Sequence, residues 1–136
     1  MTGRRGLAAV ALALLPPAAP ACGDRLDAGA RRVLQAPGVQ LAFAPQPARL
    51  AVGRHFTLDI VVCRAAGSAP LPSLRVDADM PAHRHGMNYR PTVQALGGDR
   101  FRAEGLLLHM PGRWRFSFEL DADGRPLRLT HETDVD

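Results

Sequence analysis

Histidine and methionine side chains are concentrated in one short stretch of this chain, MPAHRHGM. The stretch holds Met80, His83, His85 and Met87. Thioether sulfur and imidazole nitrogen are the ligands that suit Cu(I), and imidazole also suits Cu(II). In an extended segment His83, His85 and Met87 point to the same side, with their Cα atoms about 6.5 Å apart at each step. The spacing therefore predicts a copper site, with Cu(I) as the favoured state.

A second segment, His109-Met110, repeats the same pair of side chains just before a Pro-Gly turn. Apart from the initiator, every methionine of the chain lies in these two segments and beside histidine. Methionines that only fill gaps in a core are usually spread along the strands. We therefore expect the two segments to be tips that meet in space and share one metal ion.

A structural role explains the same residues without a metal. Pro81 and Pro91 would stiffen the loop, Tyr89 would cover a sheet edge, and Met110 would fill the core beneath Trp114. Zinc fits less well than copper, because structural zinc sites are built from Cys and His ligands rather than thioethers. The residues alone leave the metal site and the metal-free loop open.

Enzymatic activity has no support in the sequence. The chain contains no nucleophile-elbow motif, phosphate-binding loop or dinucleotide fingerprint, and we expect no catalysis and no small-molecule substrate. Without Arg4 and Arg5, 15 of the 17 arginines face 13 acidic residues, a net charge of about +2. This balance, with no basic block, excludes nucleic acid as an expected partner.

The N-terminus has the pattern of an export signal. Arg4 and Arg5 precede an apolar run over 7–15, and Ala19-Pro20-Ala21 fits the small-residue motif at a cleavage site. The run is about half of the roughly 20 residues that a membrane span needs. We predict a signal peptide over 1–21 and a periplasmic or secreted protein.

Two cysteines remain after the predicted cleavage, Cys22 and Cys63. Outside the cytoplasm an even number of cysteines favours a disulfide, which we predict between them. The alternative is a lipid anchor on Cys22, which would leave Cys63 as a free thiol.

The rest of the chain reads as strands separated by turns. Residues 55–63 and 113–120 alternate apolar and polar side chains, as half-buried antiparallel strands do. Weaker candidate strands are 39–43, 49–52, 74–79, 92–96, 101–109 and 127–133. The three leucines after Gly105 interrupt the alternation and indicate a bulge or a strand covered on both faces. We predict an N-terminal extension over 22–38 and, over 39–136, an all-β immunoglobulin-like antiparallel sandwich of about seven strands.

Three motifs make the chain similar to the YtkA-like domain family, which overlaps with FixH-like proteins. They are the MP-x-H-x-HGM loop, the HMPG-x-W turn and the closing LTHE strand, within about Leu50 to Thr133. The resemblance implies a small exported or membrane-tethered β-sandwich, with a link to copper handling and respiratory oxidase assembly. It also implies a copper-protein partner in the periplasm or its membrane. The family's marked positions correspond here to Met80, His83, His85, Met87, His109 and Met110.

Two functions follow as expectations. The first is an exported protein that binds copper without catalysis and carries it to a partner. The alternative is a metal-free structural or protein-interaction module of the periplasm.

Overall fold

Two antiparallel sheets form the protein in the computed structural model, which describes Leu15 and residues 17–136. Residues 1–14 and 16 of the predicted signal peptide lie outside this description. The described residues form nine strands and no helix. The strands are β1 (Arg32–Ala36), β2 (Val39–Gln46), β3 (His55–Arg64), β4 (Leu74–Met80), β5 (His85–Gly86), β6 (Thr92–Gly97), β7 (Arg100–Leu107), β8 (Gly112–Ala122) and β9 (Arg125–Val135).

The strand order places the two sheets face to face as a sandwich. One sheet has the order β1-β2-β3-β7-β6, and the other has the order β5-β4-β8-β9. All pairs are antiparallel. The predicted all-β sandwich is therefore confirmed, with nine strands in place of about seven.

Alternating side chains build the core between the sheets. In β3 the apolar members of the alternation are buried, with Leu58 and Ile60 at most 1% exposed. In β8 the same holds for Trp114, Phe116 and Phe118, each at most 1% exposed. Burial of such side chains stabilises the fold by roughly 1.5–3 kcal/mol each. The period-2 pattern thus fixed which face of each strand points inward.

Two segments depart from the predicted strands. Residues 49–52 form no strand, although Leu50 and Val52 still pack against the core. The segment lies between Pro47 and the Gly53 turn, so it connects β2 to β3 as a loop. Conversely, β1 falls within the segment predicted as an N-terminal extension and pairs along its length with β2.

The predicted bulge lies just before the leucine run, at Glu104 and Gly105. The β3–β7 register passes from Phe56↔Leu106 to Leu58↔Ala103, which leaves one extra residue in β7. Gly105 has φ +79°, a conformation that glycine adopts without cost. The bulge lets all three leucines be buried next to the β7–β8 connection.

A disulfide fixes the N-terminal segment to the sheet. Cys22 and Cys63 are bonded, with their Cα atoms 5.8 Å apart, which confirms the predicted pairing. Cys22 is thereby held on the sheet that contains β2 and β3. In the part of the chain that the structure covers, no helix is long and apolar enough to cross a bilayer.

Three connections gather at one end of the sandwich, which we call the site end. They are residues 47–54 between β2 and β3, 81–91 from β4 through β5 to β6, and 108–111 between β7 and β8. The registers His55↔Leu107 and Asp79↔Arg115 place them together. Both predicted ligand segments therefore lie at this end.

Candidate metal centre

A tight turn after β4 positions the first histidines. The His83 amide donates to the Met80 carbonyl at 3.1 Å, and the Arg84 amide donates to the Pro81 carbonyl at 3.4 Å. Arg84 has φ +54°, in the left-handed region that few non-glycine residues occupy. The turn brings His85 opposite Met80 in the β4–β5 register, and directly opposed residues share one face of a sheet.

The β7–β8 connection positions the second segment. Trp114, fully buried in β8, donates its indole Nε1–H to the Met110 carbonyl at 2.9 Å. The Gly53 amide donates to the Leu108 carbonyl at 2.8 Å, which attaches the β2–β3 turn to the same connection. The carbonyls on both sides of His109 therefore accept hydrogen bonds, one from the Trp114 indole and one from the Gly53 amide.

The two tips meet, as the sequence analysis expected. The His85 ring centre lies 5.2 Å from that of His109 and 5.7 Å from that of His83. Trp114 forms one wall, with its ring centre 5.4 Å from His109 and 6.0 Å from His85. Three imidazoles from two segments thus form a row, His83–His85–His109, and two of them, His85 and His109, lie against the indole.

The ring separations are compatible with a shared ion. An imidazole nitrogen lies about 2.0–2.1 Å from zinc. At a similar distance, two imidazoles on one ion have ring centres roughly 5–6 Å apart. The His83–His85 and His85–His109 separations of 5.7 and 5.2 Å fall within this range.

The contacts of the ring nitrogens indicate which of these atoms could bind a metal ion. The Nδ1 atom of His109 is buried and has no hydrogen-bond partner. Buried polar atoms normally have a partner, because leaving one unsatisfied costs about 1–3 kcal/mol. In His85, Nδ1 lies 3.1 Å from the Gly86 carbonyl oxygen. If Nδ1–H donates there, Nε2 is the free nitrogen, as is usual for a metal-binding histidine.

The methionines occupy three different environments. Met80 is 1% exposed within the core, and a Cβ atom on Gly112 would lie 3.0 Å from its Cε. Met87 and Met110 are half-buried and pack against the core from the two tips. Met87 and Met110 therefore retain exposed surface at the site end, whereas Met80 is part of its floor.

Carboxylates do not contribute to this cluster. Asp79, which precedes the loop, accepts two hydrogen bonds from Arg115, at 3.0 and 2.7 Å. Within the described ranges, no three or more His, Cys, Asp and Glu side chains are arranged as a ready metal site. His83, His85 and His109 are among the side chains that do not form such a group.

The two remaining histidines lie outside the cluster. His55 is exposed, and its ring contacts that of Tyr89 at 5.5 Å between centres. His131 is half-buried and packs edge-on against Phe43. Burial, followed by the charge of Arg32, lowers the pKa of His131 below its usual 6.5.

Trp114 is the member of the cluster that the sequence reasoning missed. The pattern HMPG-x-W carried a signal, because the tryptophan follows the histidine by five residues across a Pro-Gly turn. That spacing lets the indole reach back to the Met110 carbonyl and lie against His109. The predicted role for Trp114 was in the core alone.

Comparison with known proteins supports the fold. No protein-family model and no curated protein matches this chain. A solved structure of a DUF4426 family protein from Pseudomonas aeruginosa PAO1 is similar, with a TM-score of 0.56 and 7% sequence identity. The match covers 80% of this chain and 97% of that chain. At this identity, the likeness shows that the two proteins share an all-β sandwich fold.

Proposed function

We propose that this protein is an exported β-sandwich that binds Cu(I) at the site end and passes it on without catalysis. The observation that carries the proposal is the buried, unpartnered Nδ1 of His109 at the end of a row of three neighbouring imidazoles. A metal ion would satisfy that nitrogen. The proposed ligands are His109 and His85, completed by His83 and by the Met87 or Met110 sulfur.

The choice of copper rests on the available donors. Imidazole and thioether are the donors at this end, and Asp79 is already bound by Arg115. Thioether ligands favour Cu(I) over harder ions. Cys22 and Cys63 are joined to each other and supply no thiolate. Met80 is a supporting residue in this proposal, since it is packed in the core.

Family and location belong to the same proposal. The loop and turn motifs support membership of the YtkA-like and FixH-like group, and with it a periplasmic copper-protein partner. The Cys22–Cys63 disulfide is in keeping with a periplasmic or secreted protein. Lipid attachment at Cys22 is the alternative, and it would need the sulfur that this disulfide uses.

A chelator competition measures the proposed activity. The purified protein is titrated with Cu(I) in the presence of a competing chromogenic chelator. Replacing His85 and His109 together by alanine should weaken Cu(I) binding more than about tenfold, which is 1.4 kcal/mol. The same is expected when His83, His85 and Met87 are replaced together.

The matched control replaces the two histidines that lie elsewhere, His55 and His131, by alanine. This variant should keep the affinity of the unchanged protein. Equal Cu(I) affinity in the His85/His109 variant and the control would place any copper somewhere other than these tips.

A metal-free packing module is the second candidate, favoured by the contact of the rings with buried Trp114. It predicts that alanine at His85 lowers the melting temperature of the metal-free protein. It also predicts that Cu(I) leaves the melting temperature unchanged, whereas a ligand that binds only the folded state would raise it.

A further inference from the structure

Three arginines surround the candidate metal centre, and we call them the arginine rim: Arg54, Arg84 and Arg90. All three are exposed. Arg84 stands between His83 and His85, and Arg54 follows Gly53, whose amide is bonded to the Leu108 carbonyl.

A ring contact brings the two outer members of the rim together. The His55 ring, next to Arg54, contacts the Tyr89 ring, next to Arg90, at 5.5 Å between centres. The β2–β3 turn and the segment leading to β6 are therefore neighbours. The three cations thus belong to one surface around the histidine cluster.

No carboxylate neutralises the rim. Within the structurally described residues, Arg54, Arg84 and Arg90 form no ion pair within 4.0 Å. By contrast, all arginines at interior positions of the strands that flank the core do so: Arg75, Arg102, Arg113, Arg115 and Arg128. The arginines at interior strand positions are compensated, whereas the rim arginines are not. Within the described residues Arg25, Arg31, Arg32, Arg49, Arg100 and Arg125 also form no ion pair, so unpaired arginines occur away from the site as well.

The two ends of the sandwich differ in charge. The site-end segments 47–54, 81–91 and 108–111 contain no aspartate or glutamate. The turns at the opposite end carry Asp99, Asp121 and Asp123. The end of β9 also lies at the site end, because Val135 pairs with Gly112, and it carries Glu132 and Asp134, which pair with Arg113. The tips around the candidate metal centre thus carry positive charge with no acidic residue in the same three segments.

A groove leads away from the rim along β4. It has a volume of about 590 Å³, and its lining includes Met87, Tyr89 and Arg90. Two acidic residues also line it, Asp77 and Glu119, of which Glu119 pairs with Arg75. Beyond Asp79 and Met80, β4 has no strand partner on this side, because β5 pairs with those two residues alone. A narrow protein segment has room to enter here and approach Met87.

We propose that the arginine rim is the docking face for an acidic surface of a partner protein. The proposal deepens the proposed function, since it names the chemistry of the protein that exchanges copper at this site. Complementary charge would steer the partner to the end where the ligands lie. A flat anionic membrane fits less well, because the His109 nitrogen is buried beneath the rim.

The test uses the metal-free protein, so its outcome is independent of copper binding. Acetylated, amidated octaglutamate is titrated at low salt while amide NMR signals are followed, with octaglutamine as the neutral probe. Octaglutamate should shift the signals of the residues around positions 54, 84 and 90, and octaglutamine should not.

Replacing Arg54 by Gln, Arg84 by Asn and Arg90 by Gln in one variant should weaken octaglutamate binding about tenfold. Asparagine at 84 tolerates the left-handed backbone, which keeps the turn intact.

The control variant removes the same charge elsewhere, with Gln at Arg25, Arg100 and Arg125, all exposed. It should bind octaglutamate within about twofold of the unchanged protein. Equal losses in both variants would overturn the proposal in favour of a bulk charge effect. So would the absence of peptide binding, or rim-dependent binding to phosphatidylglycerol vesicles without peptide binding. If the protein binds copper but not the peptide, only the docking-face proposal is contradicted. If it binds the peptide but not copper, only the metal-site proposal is contradicted.

Discussion

The Nδ1 atom of His109 is the main structural argument for the proposed metal site. A protein selected only for packing would gain by replacing this imidazole with an apolar ring, because the buried Nδ1 has no partner. Its presence beside His85 and Trp114 makes sense when a ligand supplies the missing interaction.

Replacing His109 by Phe should therefore separate stability from binding. We expect the metal-free variant to be more stable by about 1 kcal/mol, since the unsatisfied nitrogen is removed. We also expect Cu(I) to add no further stability to it. Urea unfolding with and without Cu(I) measures both effects, and His55→Phe at an exposed ring is the control. A less stable metal-free variant would show that the imidazole itself is a packing group.

His131 gives a second prediction at the residue scale. Burial and Arg32 lower its pKa in the folded protein, so the folded state binds fewer protons than the unfolded state. The free energy of unfolding should therefore fall as the pH drops below about 6.5, and level off below the lowered pKa. Urea unfolding between pH 7.5 and 5 should show a smaller fall for His131→Gln. Parallel curves for the two proteins would contradict this assignment.

At the scale of elements, the predicted strands followed from alternation, and the deviations have local causes. Trp114, Phe116 and Phe118 fall on one face because the strand repeats every two residues. The β1 strand escaped prediction because it has no such face: its five residues are mostly exposed, and it is held by pairing with β2. Residues 49–52 are apolar enough for a strand, but their apolar side chains are used by a loop that packs on the core.

The meeting of the two tips was predictable from their matching His-Met content, whereas the details of the site were not. The wall formed by Trp114 depends on the turn that returns its indole to Met110. The isolation of the His109 nitrogen depends on which neighbours the bulged β7 brings beside it. Both are consequences of register between distant segments, which one sequence does not reveal.

The segment around Cys22, before β1, is attached to the sheet by one covalent bond, the Cys22–Cys63 disulfide. Cys22 and Cys63 close a loop with a sequence separation of 41 residues. On the chain-entropy model this bridge contributes about 4 kcal/mol. Replacing both cysteines by alanine should lower the free energy of unfolding by up to that amount, measured by urea unfolding. Intact mass of the exported protein, with and without reduction and alkylation, reports the bridge directly. A diacylglycerol mass on Cys22 would contradict it.

At the scale of the whole molecule, the two ends of the sandwich carry different kinds of side chain. At the opposite end the Asp99 carboxylate pairs with Arg64 and accepts a hydrogen bond from the Leu71 amide. The site end combines the histidine cluster, two half-buried methionines and the arginine rim. The fold resembles that of a DUF4426 family protein at 7% sequence identity.

The indole at the centre of the cluster is the only tryptophan in the chain. Its emission therefore comes from one place, against the edges of two imidazoles and away from solvent. The arrival of a metal ion between those rings should change the fluorescence intensity of Trp114. The fluorescence of Trp114 should thus report metal binding at the two loop tips without an added label.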